Sequence, residues 1–196
     1  MPKRVDHQER RRQIAEALFR IAAARGLQAV TLRAVAAEAG ISMNLVQYYF
    51  PTKEEMERFA WQRIVELTAA RAGEGVTSAV KTGDTRAIVR AYLVGVLPTD
   101  ERGRMLCAVL MAYFAVDVTR GSQAQDQQAL TPHLVQALTD LLTSAQPPPP
   151  LDPSMEANAL VSMAAGLLNG MLVNVYDTTH ATAIIDYRLD QLFPSG

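Results

Sequence analysis

The residues of this chain best suited to chemistry lie between Thr31 and Phe50, in the stretch TLRAVAAEAGISMNLVQYYF. Met43, Asn44, Gln47 and Tyr48 fall on the outward side of a short helical segment. Asn and Gln can pair bidentately with adenine, and a Met side chain can pack against a thymine methyl. Thr31, Tyr49 and Lys53 are of the kinds that hold phosphates, aided by the free N–H groups at helix starts. The chemistry implied is recognition of duplex DNA. Short helix pairs with a glycine turn also occur in proteins that bind no DNA, so these residue types alone leave a protein-contact module open.

Positioning these side chains requires two short, capped helices. Thr31 supplies an N-cap for Leu32–Ala39, and Gly40 closes that helix. Ser42 caps Met43–Tyr49, and Pro51 prevents its continuation. Ala39-Gly40-Ile41-Ser42 then forms the turn of a helix-turn-helix, with Val35, Ala36, Ile41, Leu45 and Val46 packing the pair together. The second helix is two turns long, so its N-terminal residues can enter a major groove. A preceding helix, Glu9–Arg25, carries Ile14, Ala17, Leu18, Ile21 and Ala22 at the spacing of one buried face, and Gly26 ends it. Thr52-Lys53-Glu54-Glu55 reads as a capping box opening a long fourth helix. Met56, Phe59, Ala60, Ile64 and Leu67 form its apolar face, and Gly73 and Gly75 are expected to end it.

Charge is distributed in the same sense. Residues 1–53 carry nine Lys/Arg against four Asp/Glu, whereas residues 54–196 carry ten against sixteen. The net charge of −1 hides a basic end on an acidic body, the pattern of a protein whose one end meets a polyanion.

The rest of the chain also reads as helices, with no strong strand signal. Candidates are Thr85–Leu97, Asp100–Arg120, about Gln125–Ser144, Pro153 to about Tyr176 with Asp152 as cap, and about Thr182–Phe193. The proline-rich run Ala145–Pro153 is the clearest break. The fold class expected is all-α with about nine helices: a three-helix domain over residues 8–53, with its recognition motif at 31–50, and a helical domain over 54–196 that begins with a connecting helix at 54–75. At 196 residues and 49% hydrophobic, the chain can bury a core without metal or disulfide staples.

Several function classes drop out. The single cysteine, Cys107, excludes an internal disulfide and a multi-cysteine zinc site. His7, His133 and His180 have no ligand spacing and are expected at the surface. There is no phosphate-cradling glycine loop, nucleophile elbow or His-Glu-X-X-His, so no enzyme, cofactor or metal is expected. An enzyme using an apolar pocket in the body remains a rival, as does the interaction module. No apolar segment follows the charged start, and Met105–Val116 and Ala159–Val175 are too short or too polar to span a bilayer. A cytoplasmic protein without membrane contact is expected.

At fixed spacings, Arg25-Gly26, Thr31-Leu32-Arg33, Val35-Ala36-X-X-Ala39-Gly40-Ile41-Ser42 and Tyr49-Phe50-Pro51-X-Lys53-Glu54-Glu55 resemble the DNA-binding domain of the TetR (tetracycline-repressor) family of bacterial regulators. Leu97-Pro98-Thr99-Asp100-Glu101 and Ala165-Gly166-Leu167-Leu168-Asn169-Gly170 look similar to the subgroup that includes betaine-type regulators. The resemblance implies a homodimeric transcription factor, usually a repressor, that binds a palindromic operator in double-stranded DNA and responds to a small-molecule effector. It places DNA contacts at Thr31, Ser42, Met43, Asn44, Gln47, Tyr48, Tyr49 and Lys53, with Arg33 beside them. Many members have glycine in place of Asn44 and tyrosine in place of Gln47, so no operator sequence transfers.

In such a body the expected effector pocket is lined by Trp61, Tyr92, Cys107 and Met111, with Tyr113, Phe114 and Asp117 from the same sixth helix. Asn169 and Asn174 would add polar contacts. The same side chains would equally suit a packed core. Met105–Val116 is apolar all round, which predicts a helix buried within the body. For the dimer, Leu160, Ala164, Leu167, Met171 and Val175 form a helical stripe, and Gly166-X-X-X-Gly170 would permit close backbone approach. Ile185 and Leu189 join them from the last helix, and two helices from each subunit would make a four-helix bundle. Burial of the stripe inside one subunit is the competing reading.

Overall fold

A computed structural model describes residues 7–120, 130–145 and 151–194 of the chain. Among them every regular element is helical: α1 (His7–Arg25), α2 (Leu32–Ala39), α3 (Met43–Tyr49), α4 (Lys53–Val80), α5 (Thr85–Gly95), α6 (Glu101–Arg120), α7 (Leu130–Ala145), α8 (Pro153–Leu172) and α9 (Thr178–Leu192), with one 3-10 turn at Leu27–Ala29. None of these helices is long and apolar enough to cross a membrane.

Compactness divides the chain into two units, Met1–Leu67 with Met105–Ser122, and Thr68–Arg104 with Gln123–Gly196. The division falls inside α4 and α6 rather than in loops.

In the first unit, Ile14, Leu18, Phe19 and Ile21 of α1 form one core with Val35, Val46 and Phe50. Met56, Ala60 and Ile64 of α4 and Leu106, Val109 and Tyr113 of α6 belong to that same core. The Tyr113 hydroxyl donates to the Glu57 carbonyl at 3.1 Å, and the Trp61 and Tyr113 rings lie edge to face at 5.4 Å. This corrects the expectation for α6. It is buried on one face, through Leu106, Cys107, Val109 and Tyr113, while Phe114 and Val118 stand 62% and 65% exposed. A helix that is apolar on every side carries no periodic signal of which face is covered; here the face shared with α4 decides it.

In the second unit, Gly73 and Gly75 do not end α4, which runs on to Val80. A Cβ on Gly75 would lie 3.5 Å from the Ala91 side chain, and one on Gly95 only 2.8 Å from the Ala72 backbone, so α4 and α5 approach at backbone distance. Gly83, with φ +68°, makes the turn that follows. α7 packs along α8, and α9 contacts α5 and α8. Two acidic residues of α9 are tied to α5: the Arg90 guanidinium donates to both Asp186 oxygens at 2.6 and 2.9 Å, and Arg86 pairs with Asp190. Arg188 pairs with Glu156 of α8.

Boundaries shift where side chains cap backbone groups. Arg104 donates to the carbonyls of Met171 and Leu172 at 2.8 and 2.6 Å and to Asn174 Oδ1 at 3.0 Å. Asn174 adopts φ +60°, so α8 ends at Leu172 rather than near Tyr176. Asp177 accepts from the His180 N–H at 2.7 Å and starts α9 at Thr178, earlier than the expected Thr182. The expected start of α7 near Gln125 lies outside the described residues.

Candidate nucleic-acid interface

The helix-turn-helix is built by its caps. Thr31 Oγ1 accepts from the Ala34 N–H at 3.0 Å, and Ser42 Oγ accepts from the Leu45 N–H at 3.2 Å, so both helices start on side-chain caps. Between them Gly40 sits at φ +66°, a left-handed conformation that a Cβ would strain, and the Ile41 N–H returns to the Ala36 carbonyl at 3.0 Å. Val35 and Val46 are fully buried and Ala36 nearly so, locking α2 onto α3 and both onto α1. Arg20 of α1 adds an ion pair to Glu38 of α2 at 2.5 Å.

Burial on one side leaves the other side of α3 bare. Met43, Asn44, Gln47 and Tyr48 are all exposed, Tyr48 to 71%. Thr31, Arg33 and Ser42 are exposed too, at the start of each short helix, while Tyr49 and Lys53 are half-buried. Lys53 lies 3.4 Å from Glu57 one turn along α4. All nine residues therefore belong to the first unit and lie around α2, α3 and the start of α4. The arrangement offers amide and apolar groups at the centre, with hydroxyls and cations to the sides, which is the division of labour of base reading and phosphate holding.

Residue types did not reveal what supports this edge from α1. His7 and Arg11 are four residues apart, hence on one side of the helix. The His7 ring lies 4.6 Å from Tyr49 and 6.3 Å from Tyr48, whose rings meet edge to face at 5.1 Å. The Arg11 guanidinium lies 4.8 Å from Phe50 and 4.3 Å from Phe59. The i, i+4 spacing was visible in the sequence; its aromatic partners, some 40 residues later, were not.

The residues expected to line an effector pocket do not gather in one unit. Trp61, Cys107, Met111, Tyr113 and Phe114 belong to the first, and Tyr92, Asn169 and Asn174 to the second. Trp61 and Tyr113 pack on each other, Cys107 is buried, and Phe114 faces outward. Tyr92 is half-buried, and loss of water around it raises the phenol above its ordinary range. Asn169 is exposed, and Asn174 is engaged by Arg104. The Asp117 side chain lies outside the described residues.

The expected dimer stripe is also corrected. Leu160, Ala164, Leu167, Met171, Ile185 and Leu189 are at most 4% exposed in a single chain, so they form its own core and are not available to a partner. The space beside Gly170 is taken by the chain's own Tyr176 ring, which folds back over it, and nothing lies within 4 Å of where a Gly166 side chain would start. Val175 is 65% exposed, in the turn after α8.

Comparison with known proteins places both halves of the chain. Residues 14–57 match bacterial regulatory proteins of the tetR family, and residues 85–194 match the C-terminal domain of BetI-type transcriptional repressors. The chain is 36% identical over 101 residues to the HTH-type transcriptional regulator PksA of Bacillus subtilis (strain 168), a stretch covering 52% of this chain and 48% of PksA. The match thus spans about half of that relative's length. A transcriptional regulator from Rhodococcus sp. Rha1 is similar in structure, with a TM-score of 0.80 at 26% identity over 93% of this chain and 95% of that one. A protein from Saccharomonospora viridis, described as a transcriptional regulator and solved in complex with choline, has a TM-score of 0.82 over 93% and 96%, and at 22% identity the likeness is one of fold. The helix-turn-helix lies within the first matched segment and α5 to α9 within the second: the chain belongs to the tetR family of bacterial regulatory proteins, with a C-terminal domain of the BetI type.

Proposed function

We propose that the protein is a homodimeric repressor that reads a palindromic operator through α3 and leaves it when a small-molecule effector binds the helical body. The observation that carries the reading is the exposed row Met43, Asn44, Gln47 and Tyr48 on a helix whose opposite side is locked by buried Val46. Met43, Asn44, Gln47 and Tyr48 read base edges. Thr31, Arg33, Ser42, Tyr49 and Lys53 hold the backbone on either side. Residues 8–53 act as the DNA-binding domain and residues 54–196 as the effector and dimer domain. The protein works as a binding protein rather than an enzyme, in the cytoplasm where the operator is.

Dimerisation gives two reading helices about 34 Å apart, matching successive major grooves on one side of the duplex. With the larger apolar residues of α8 and α9 committed to the subunit's own core, the contact falls to their exposed faces. On α8 these carry Ala159, Ser162, Gly166 and Asn169, and on α9 Ala183 and Tyr187. Release by an effector requires only that it bind more tightly to a dimer geometry whose reading helices no longer fit the groove spacing.

Selection of random duplexes on the purified protein at near-physiological salt tests the reading. Recovery of a palindrome is the expected result, and it supplies the probe for an effector screen. A folded protein that enriches no sequence would overturn the reading in favour of a protein-interaction module.

A further inference from the structure

We propose that His7 is a proton-dependent contact to the DNA backbone, so that the affinity of this protein for DNA falls as pH rises. The inference rests on the reading of α3 as the DNA-reading helix and adds to it a residue from α1. His7 is exposed at the start of α1, with its ring 4.6 Å from Tyr49 and 6.3 Å from Tyr48. Tyr48 is itself 71% exposed on the bare side of α3. The imidazole therefore stands beside Tyr49, which on that reading holds the DNA backbone.

Protonation changes what that imidazole can do. As a cation it has two N–H donors, one of which can reach a phosphate oxygen. As a neutral ring it packs on Tyr49 and contributes no charge. Among the described residues, titratable groups neighbour it from α3 and α1. From α3 they are the phenols of Tyr48 and Tyr49; along α1 the neighbours are Glu9, Arg10 and Arg11. Glu9 pairs with Arg12 at 3.5 Å, Arg10 donates to Gln13 at 2.9 Å, and Arg11 is stacked on Phe50 and Phe59. Histidine is the side chain that ordinarily changes charge between about pH 5 and 8. A proton taken up on binding makes the complex weaker wherever the free protein has lost it, so affinity declines from pH 6 to pH 8.

Because a phosphate contact is blind to sequence, labelled mixed-sequence duplex DNA serves as the probe. The full chain is titrated by fluorescence anisotropy at pH 6 and pH 8 over a range of salt, with melting curves to verify folding. For the wild type, binding is expected to weaken roughly three- to ten-fold per bound head from pH 6 to pH 8, with the salt slope shallower by about one at pH 8. His7→Gln should remove this component at both pH values, and His7→Arg should bind at pH 8 as the wild type does at pH 6. His133 and His180 are common to all three proteins, so their contributions cancel. A ring that merely packs on Tyr49 would change melting but not the salt slope. A flat wild-type profile, or an unchanged one in His7→Gln, overturns this inference alone. Failure to bind DNA at any pH overturns it together with the reading of α3.

Discussion

The guanidinium of Arg11 stacks 4.3 Å from the centre of the Phe59 ring, and the same group lies 4.8 Å from Phe50. One cation from α1 thus spans the end of α3 and the first turns of α4. Its Nε is buried without a hydrogen-bond partner, so the aromatic faces rather than hydrogen bonds hold that atom in place. Arg11→Ala should cost about 1–2 kcal/mol of stability through lost stacking and lost packing of the stem. Arg11→Lys should recover only part of it, because an ammonium lacks the planar face. Thermal denaturation of the two variants measures this; a lysine variant as stable as the wild type would contradict it.

Reading and holding should separate by substitution. Gln47→Ala should cost about 1–3 kcal/mol on the selected operator and little on unrelated duplexes. Lys53→Ala should weaken binding to all sequences about equally and reduce the salt slope by about one. Identical behaviour of the two variants on both probes would show that Gln47 does not read a base.

The two kinds of residue on α8 and α9 should respond differently to an acidic side chain. Tyr187 is 68% exposed in the single chain, so Tyr187→Asp should leave the fold intact and shift sedimentation toward the monomer. Leu167 is 4% exposed, and Leu167→Asp buries an unpaired carboxylate, so it should unfold the second unit instead. A Tyr187→Asp protein that remains dimeric would place the dimer contact elsewhere.

Acid should loosen the attachment of α9. The hydrogen bonds from Arg90, and then its charge, hold the Asp186 carboxyl below its ordinary range. A depressed folded-state value means stability that is present above about pH 4 and is lost as pH falls through the folded value. The pair is partly solvated, so the effect is about 1 kcal/mol or less. Melting temperature measured from pH 6 down to pH 3 should fall more steeply in the wild type than in Asp186→Asn, which starts lower at neutral pH. Parallel curves would assign the acid sensitivity to other carboxylates.

The sequence by itself determined the elements that are set locally. Thr31, Gly40 and Ser42 delimit α2 and α3 because caps and a left-handed turn are decided by a residue and its next few neighbours, and both helices begin and end where those residues predict. The exposed side of α3 followed from the same periodicity. Only the tertiary structure decided matters that depend on distant partners. Gly73 and Gly75 read as stops, yet they lie inside α4, which runs on to Val80 and whose backbone at Ala72 is met closely by Gly95 of α5. Leu160, Leu167 and Ile185 read as a dimer seam, yet they close the subunit's own core, since an apolar stripe is the same in sequence whichever surface covers it. Residues 105–116 of α6, apolar on every side, gave no sign that the face carrying Tyr113 would join α4 in the core of the first unit. His7 and Arg11 show the same limit from the other direction: their spacing is local, but the tyrosines and phenylalanines they meet are brought to them only by the fold.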